Sequence, residues 1–300
     1  MDFGKSNDVD EVNFFLPDDH PETPAILGGE KQDTEVYVGG AKWGRKDWIG
    51  QLYPEGTKQD EMLHHYAKNF NSIELNATHY NIPKPEFVSN WVSQVDKDFK
   101  FCPKVYQIIS HRMRLRNAMQ LTDDFFNRMS MFGDNLGTIF LQMPPNFKVA
   151  KIDDLMSYLQ NIPSGFSVGL ELRDYSWFDG SANAERLFEL MKERQITAVI
   201  TDTSRFRELV HMRLTTPEAF VRFVGNNLHP TDFERLDAWI DRIGEWMNMG
   251  LKRLWFFLHQ HEEQYTPELA RYCAKQFKEK LGIELRTPGL PGQTGDLFGE

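Results

Sequence analysis

Strand-like and helix-like segments alternate along most of this chain of 300 residues, and that order limits the folds open to it. Short runs rich in Val, Ile, Leu and Phe predict eight strands, at residues 35–43, 72–80, 99–105, 137–144, 167–174, 196–202, 219–225 and 253–260. Amphipathic segments between them predict helices at 58–70, 85–95, 121–132, 152–160, 182–194, 231–249 and 267–280. Parallel strands need crossover connections, so this order indicates a parallel sheet covered by helices.

Eight strand–helix units in about 250 residues predict an α/β fold, a single (β/α)8 TIM-type barrel. A doubly wound open sheet is the alternative, but no G-x-G-x-x-G or Walker sequence follows the first strand. Residues 203–218, between the sixth and seventh strands, lack a convincing helix pattern. After the seventh strand, Thr231 and Glu234 predict a capping box, and Gly250 predicts the end of the same helix.

Both ends of the chain differ in character from the barrel region. Residues 1–34 are acidic and broken by three prolines, which predicts an irregular N-terminal arm. Residues 35–287 form the predicted barrel domain. Residues 288–300 are rich in proline and glycine, which predicts a flexible C-terminal tail.

Composition narrows the functional classes. The formal net charge of −10 argues against broad adhesion to nucleic acid or to anionic membranes. Two separate cysteines form neither a disulfide framework nor a zinc motif. The N-terminus has no basic region followed by an apolar run, and no segment has the apolar length that crosses a bilayer. We therefore expect a cytoplasmic protein without a membrane partner.

The stretch NSIELNATHYNIP (71–83) indicates where a functional site lies. In a parallel barrel, alternate side chains of each strand pack under the helices or fill the interior, and the interior positions open at the carboxyl ends of the strands. We call that end of the barrel the mouth. Ile73 and Leu75 are expected beneath helices, whereas Glu74, Asn76 and Thr78 are expected to line the interior towards the mouth.

Other predicted strands also end in polar side chains, namely Lys104, Gln142, Glu171, Arg173, Asp202, Arg222, His259 and Gln260. Burying an unpaired charge is prohibitive, so these groups must pair with one another, with a ligand or with water. We expect Glu74, Glu171 and Asp202 to balance Lys104, Arg173 and Arg222 around one shared site.

Mixed charge at one site favours acid–base chemistry of an isomerase-like or hydrolase-like kind on a small polar or anionic substrate, sugar-like or phosphorylated. The predicted catalytic residues are Glu74, Glu171 and Asp202. Arg173 and Lys104 would hold a carboxylate or phosphate. The other predicted substrate-binding residues are Trp43, Asn76, His79, Tyr80, His111, Gln142, Trp177 and Arg222.

A metal site is the less favoured interpretation of the same carboxylates. Glu74, Glu171 and Asp202 with His79 or His259 have suitable ligand chemistry. However, the chain has no compact motif such as H-E-x-x-H, and Lys104 and Arg173 would neutralise the carboxylates. We therefore predict neither a metal nor another cofactor.

Several blocks, among them VGGAKWGRKDWIGQLYPEGT, NSIELNATHYNIP, LQMPP and ELRDYSWF, resemble in order those of the YecE-like family, domain of unknown function seventy-two. The resemblance runs from about residue 36 to residue 260. It implies a TIM barrel and brings no established reaction. A kinship of fold with sugar isomerases and DNA-repair endonucleases is an analogy only.

An accessory or nuclease-like role in nucleic-acid metabolism is the alternative function. The segment SHRMRLRNAMQ (110–120) carries several basic residues where a phosphate backbone could lie across the mouth. The tail segment QTGDLF (293–298) resembles the short peptides that dock into bacterial sliding clamps. Nucleic acid and a sliding clamp are the partners that this alternative implies, in place of a small polar or anionic ligand.

Overall fold

The structure is a computed structural model that describes residues 4–289. Its strands are β1 (Glu35–Gly40), β2 (Ser72–Leu75), β3 (Lys100–Pro103), β4 (Ile139–Gln142), β5 (Val168–Glu171), β6 (Ile196–Asp202), β7 (Glu218–Gly225) and β8 (Arg253–Gln260). All neighbouring pairs are parallel, in the order β3-β2-β1-β8-β7-β6-β5-β4. Between β3 and β4, Val105 N donates to Phe140 O at 3.0 Å and Gly137 N to Phe101 O at 2.7 Å. These bonds nearly close the ring, and the predicted TIM-type barrel is confirmed.

Helices surround the strands. They are α1 (Thr23–Leu27), α2 (Met62–Asn69), α3 (Ala77–Tyr80), α4 (Pro85–Ser93), α5 (Met119–Met129), α6 (Ile152–Asn161), α7 (Ala182–Glu193), α8 (Pro230–Asn248) and α9 (Thr266–Leu281). Short 3-10 or π turns connect several of them. No helix among residues 4–289 has both the length and the apolar character of a membrane span.

Two local predictions are wrong. β2 ends at Leu75, and Thr78 lies in the one-turn α3, where its hydroxyl donates to the carbonyl oxygens of Leu75 and Lys104 at 2.8 Å each. The N-cap of α8 is His229, not Thr231. Pro230 occupies the first helical position, where proline is favoured because it has no backbone N–H to leave unpaired. At the other end of α8 the prediction holds, with Gly250 at a φ of +107° after the last turn.

The N-terminal arm fills the place of a missing barrel helix. As predicted, residues 203–218 contain no α-helix, only the 3-10 turn Arg207–Leu209. Residues of the arm contact both flanking helices instead: Glu22 pairs with Lys192 of α7, and Asp19 accepts a hydrogen bond from Trp246 of α8. The arm thereby covers the outer side of β6 and β7, and it includes the short helix α1.

Large apolar side chains fill the barrel interior below the polar strand ends. This inner layer consists of Tyr37, Cys102, Phe140, Val199, Phe220, Trp255 and Phe257. Glycine makes room for it: a Cβ at Gly137 would lie 2.7 Å from the sulfur of Cys102 and 3.0 Å from the ring of Trp255. The interior is therefore a packed apolar floor, and the polar strand ends lie above it at the mouth.

Candidate active site

Arg222 lies at the centre of a polar cluster at the mouth. Its Nε and Nη2 donate to Oε2 and Oε1 of Glu74 at 2.7 and 2.8 Å, and its Nη1 donates to both carboxylate oxygens of Glu171 at 3.0 and 3.1 Å. Arg173 Nε donates to Glu171 Oε1 at 2.6 Å. The side chains of Glu74, Glu171 and Arg222 have no exposed surface. We call these four residues the Arg222 network, which joins side chains of β2, β5 and β7.

Opposite charges keep the network ionised. Burial alone would raise the pKa of Glu74, but Arg222 and His259 hold it well below its usual value. Burial acts in the same direction on Glu171, and the pKa of Glu171 is nevertheless lowered by Arg173 and Arg222. Burial opposes the charge of Arg222 too, yet the two glutamates raise its pKa. Both carboxylates are therefore anionic at neutral pH.

His259 extends the network from β8. Its Nε2 lies 3.0 Å from Glu74 Oε2, and its Nδ1 lies 3.9 Å from Oε1 of Glu263. The ring is fully buried. Within residues 4–289 no group of three His, Cys, Asp or Glu side chains is arranged to hold a metal ion. The carboxylates of Glu74 and Glu171 are bound by arginine instead.

Lys104 directly follows β3 and has the same inward parity as Cys102. Its Nζ donates to Oε1 of Gln142 at 2.6 Å and lies 5.9 Å from the centre of the Phe140 ring. The pKa of Lys104 is lowered to about 7, first by burial and then by the charge of Arg222. At neutral pH this amine can therefore both donate and accept a proton.

Histidines and a tyrosine border the mouth beside β2 and β3. His79 Nδ1 is 2.7 Å from the carbonyl oxygen of Val105, and its ring centre is 5.0 Å from that of His111. Burial, then the charge of Lys104, lowers the pKa of both histidines to about 4. Tyr80 packs edge-on against His79 and is 61% exposed. Asn76 Nδ2 donates to Oε1 of Glu74 at 2.8 Å, which places Asn76 beside the Arg222 network.

Sequence comparison assigns the chain to a family. The family model described as "Protein of unknown function DUF72" matches residues 37–293. The chain belongs to the DUF72 family. It is 27% identical over 277 residues to UPF0759 protein YecE of Escherichia coli K12, across 86% of this chain and 98% of that protein. It is 24% identical over 204 residues to UPF0759 protein YunF of Bacillus subtilis, across 64% of this chain and 71% of that protein.

Solved structures of DUF72 family proteins have the same fold. The protein from Enterococcus faecalis V583 has a TM-score of 0.62 and 19% identity, across 84% of this chain and 99% of that one. The protein from Thermotoga maritima MSB8 has a TM-score of 0.61 and 22% identity, across 83% and 100%. The resemblance found in the sequence blocks is thus confirmed for both family and fold.

Asp202 does not join the Arg222 network, and the prediction that it lines the mouth is wrong. Thr201 is paired with Arg222 in the register of β6 and β7, so Thr201 takes the inward position and Asp202 points outward. There Asp202 binds Arg235 at 2.8 Å and accepts a hydrogen bond from Nε1 of Trp239 at 2.7 Å. The contact with Arg207 completes a separate ion-pair cluster between the barrel and α8.

Two aromatic residues that were predicted to bind substrate, Trp43 and Trp177, pack in the outer core. Trp177 is fully buried, donates from Nε1 to the carbonyl oxygen of Phe147 at 2.6 Å and stacks on the ring of Phe147. Trp43 packs edge-on against Trp91 of α4. Trp177 is therefore a packing residue with no exposed surface, which contradicts the prediction that it binds substrate. Gln260 also points away from the interior, since its Oε1 accepts a hydrogen bond from Asn227 N at 2.6 Å.

The basic segment 110–120 contacts the body of the protein. Arg114 donates to Asn146 at 3.1 Å, and Arg116 pairs with Asp154 at 2.8 Å. The clamp-binding-like segment 293–298 lies outside the described residues. Gly289, the last of these, donates from its backbone N to Asn69 at 2.8 Å.

His259 is the functional candidate that the predicted site residues omitted. It stood among the polar strand ends, next to Gln260, and two neighbouring residues of one strand cannot both face the interior. The inward parity of Trp255 and Phe257 in RLWFFLHQ was the signal that selects His259.

Proposed function

We propose that the protein is an enzyme that performs acid–base chemistry on a small polar or anionic substrate at the barrel mouth. The reaction class is isomerase-like or hydrolase-like, and the substrate is sugar-like or carries a carboxylate or phosphate. One observation carries the proposal: charged side chains from separate strands meet around Arg222, above a packed apolar floor.

Each group has a part that follows from its surroundings. Arg222 is saturated by two glutamates, so it fixes the site rather than binding substrate. Arg173 supplies the positive charge that attracts an anion, and arginine suits planar anionic groups. Lys104 is also the proton carrier, because a pKa near the working pH suits general acid–base catalysis.

A nucleic-acid role stays a prediction. Arg116 is engaged with Asp154, and Arg114 with Asn146, so neither supports the alternative over the small-molecule function.

Thermal denaturation with a panel of small anions tests the proposal. The panel is malonate, inorganic phosphate and 2-phosphoglycolate. Each anion is added to wild type, to Arg173→Met and to the control Arg116→Met, and each protein is compared with its own ligand-free sample. We expect at least one anion to stabilise wild type and the control, by about 2.7 kcal/mol at a hundredfold excess over Kd. Arg173→Met should lose that stabilisation. Equal stabilisation of all three proteins would contradict the proposed site.

A further inference from the structure

Lys104 is a buried amine without an acidic partner. Its side chain is 7% exposed, and its Nζ has a hydrogen bond to Gln142 but no carboxylate at ion-pair distance among the described residues. The glutamates at the same end of the barrel are bound by Arg222 and Arg173. Positive charge on Lys104 is therefore both desolvated and repelled, and the neutral amine is favoured.

Gln142 holds that neutral amine in a reactive arrangement. A neutral amine has two N–H groups and one lone pair. One N–H donates to Oε1 of Gln142 at 2.6 Å, so the lone pair stays available. Phe140 lies beneath the amine and excludes water from that side. A desolvated lysine of this kind is the usual nucleophile for carbonyl groups.

We propose that Lys104 is a catalytic nucleophile that forms an imine with small aldehydes or ketones carrying a carboxylate or phosphate. The inference rests on the proposed function, because it uses the same anion-attracting mouth. It goes further by giving the substrate a carbonyl group and the reaction a covalent intermediate.

The covalent step balances without a further reactant. The Nζ lone pair attacks the carbonyl carbon, the C=O π pair moves to oxygen, and one amine proton is transferred to that oxygen. The resulting carbinolamine accepts on its hydroxyl the proton that the Lys104 ammonium released to solvent on becoming the neutral amine, and it expels water as the nitrogen lone pair forms the C=N bond. The sum is ammonium plus carbonyl giving protonated imine plus water, with no change of oxidation state.

Neutral imidazoles are available for the proton transfers. Nδ1 of His79 faces the carbonyl oxygen of Val105 at 2.7 Å and must carry the proton, so Nε2 holds a lone pair. Val105 directly follows Lys104, and the ring of His111 lies 5.0 Å from that of His79, so both rings lie beside the segment that carries the amine.

The position of Arg173 sets the substrate class. Lys104 follows β3, Gln142 ends β4 and Arg173 follows β5. β4 pairs with β5, and Val105 N links the end of β3 to Phe140 O of β4. Neighbouring strands are about 4.8 Å apart, so the first and third are roughly 10 Å apart before their side chains turn inward. A compound of a few carbon atoms with an anionic end can therefore reach both the amine and the guanidinium.

Reductive trapping tests the proposal on the full-length protein. Glyoxylate, the smallest aldehyde with a carboxylate, is added with cyanoborohydride, and carboxymethylated lysines are mapped by peptide mass spectrometry. An amine with a pKa of about 7 is half neutral at pH 7, whereas an ordinary lysine is neutral in fewer than about one molecule in 1,000. We expect Lys104 to be labelled at least about tenfold faster than the exposed lysines, which serve as internal controls.

Two further arms separate this inference from the proposed function. Lys104→Met must lose the fast labelling while the other lysines react as in wild type. Malonate, an anion without a carbonyl group, must slow labelling of Lys104 if the anion site exists. Fast labelling of Lys104 that malonate does not slow would support Lys104 as a nucleophile and would contradict the proposed anion-binding site. Labelling confined to exposed lysines overturns the nucleophile, even where malonate still stabilises the protein.

Discussion

Arg222 and Glu74 form a side-on ion pair with two parallel hydrogen bonds, at 2.7 and 2.8 Å, although 148 residues separate them in the chain. Both side chains are fully buried. The pair joins β2 to β7 across the barrel interior. A buried ion pair is stable only when each charge has a partner, because removing one partner leaves the other charge buried and unpaired.

Replacing Arg222 by methionine should strongly destabilise the protein. The change leaves Glu74 and Glu171 without their shared counter-charge, and breaking a buried pair costs about 3–5 kcal/mol. Urea unfolding measures the free energy. The control Arg116→Met breaks an exposed pair with Asp154 and should cost at most about 1 kcal/mol. Equal effects of the two changes would show that the Arg222 network does not carry this energy.

Lys104 should make stability depend on pH between 7 and 9. Its folded pKa of about 7 is below the unfolded value of about 10.4, so in that window the unfolded chain binds more protons and stability rises with pH. Well below pH 7 Lys104 is protonated in both the folded and the unfolded state, so the cost of burying its charge no longer changes with pH. The charged groups acting on Lys104, and the histidines beside it, are Glu74, His79, His111, Glu171, Arg173 and Arg222.

The free energy of unfolding of Lys104→Met minus that of wild type should therefore fall by about 2 kcal/mol from pH 7 to pH 9. Free energies of unfolding from urea titrations at several pH values give this difference. The matched control is Lys148→Met, a change of an exposed lysine, whose difference from wild type should stay constant. A constant difference for Lys104→Met as well would mean that the amine is charged throughout this range.

Replacing Asp19 by alanine should loosen the N-terminal arm. Asp19 accepts hydrogen bonds from Arg242 at 2.6 Å and from Nε1 of the buried Trp246 at 2.9 Å. Leaving that indole N–H unsatisfied costs about 1–3 kcal/mol. Thermal denaturation and tryptophan fluorescence report the loss, with the exposed neighbour Asp18→Ala as control. If both changes are equally mild, the arm is not anchored at this point.

Neither cysteine should react in the native protein. Cys102 lies inside the barrel and Cys273 on the buried face of α9, and burial raises the pKa of both thiols. Ellman's reagent should therefore release colour only after urea is added, from two thiols per chain. Rapid reaction of one thiol in native buffer would contradict the packed interior.

Strand parity explains which site residues could be predicted. In β2 and β5 one row is clearly apolar, as with Ile73 and Leu75, so the opposite row had to hold Glu74 and Glu171. In β6 the row that ends in Asp202 is likewise apolar, with Ile196, Ala198 and Ile200, and the row that ends in Thr201 is the more polar one. Strand parity alone therefore indicated that Asp202 points outward, in agreement with the pairing of Thr201 with Arg222.

Long-range packing explains the other misses. Trp177 has the residue type of a ligand wall, but its place is set by stacking on Phe147, 30 residues away. The absence of a helix after β6 was readable from residues 203–218. That the arm takes this place depends on contacts such as Asp19 with Trp246, 227 residues apart, which no local pattern encodes.

The central claim is that the mouth between Lys104 and Arg173 binds an anion. Crystals soaked in selenate, with diffraction data collected at the selenium edge, test it directly. The account predicts an anomalous peak within hydrogen-bond distance, about 3 Å, of Lys104 Nζ or the Arg173 guanidinium. Selenate peaks found only at exposed arginines such as Arg116, with none at the mouth, would contradict it.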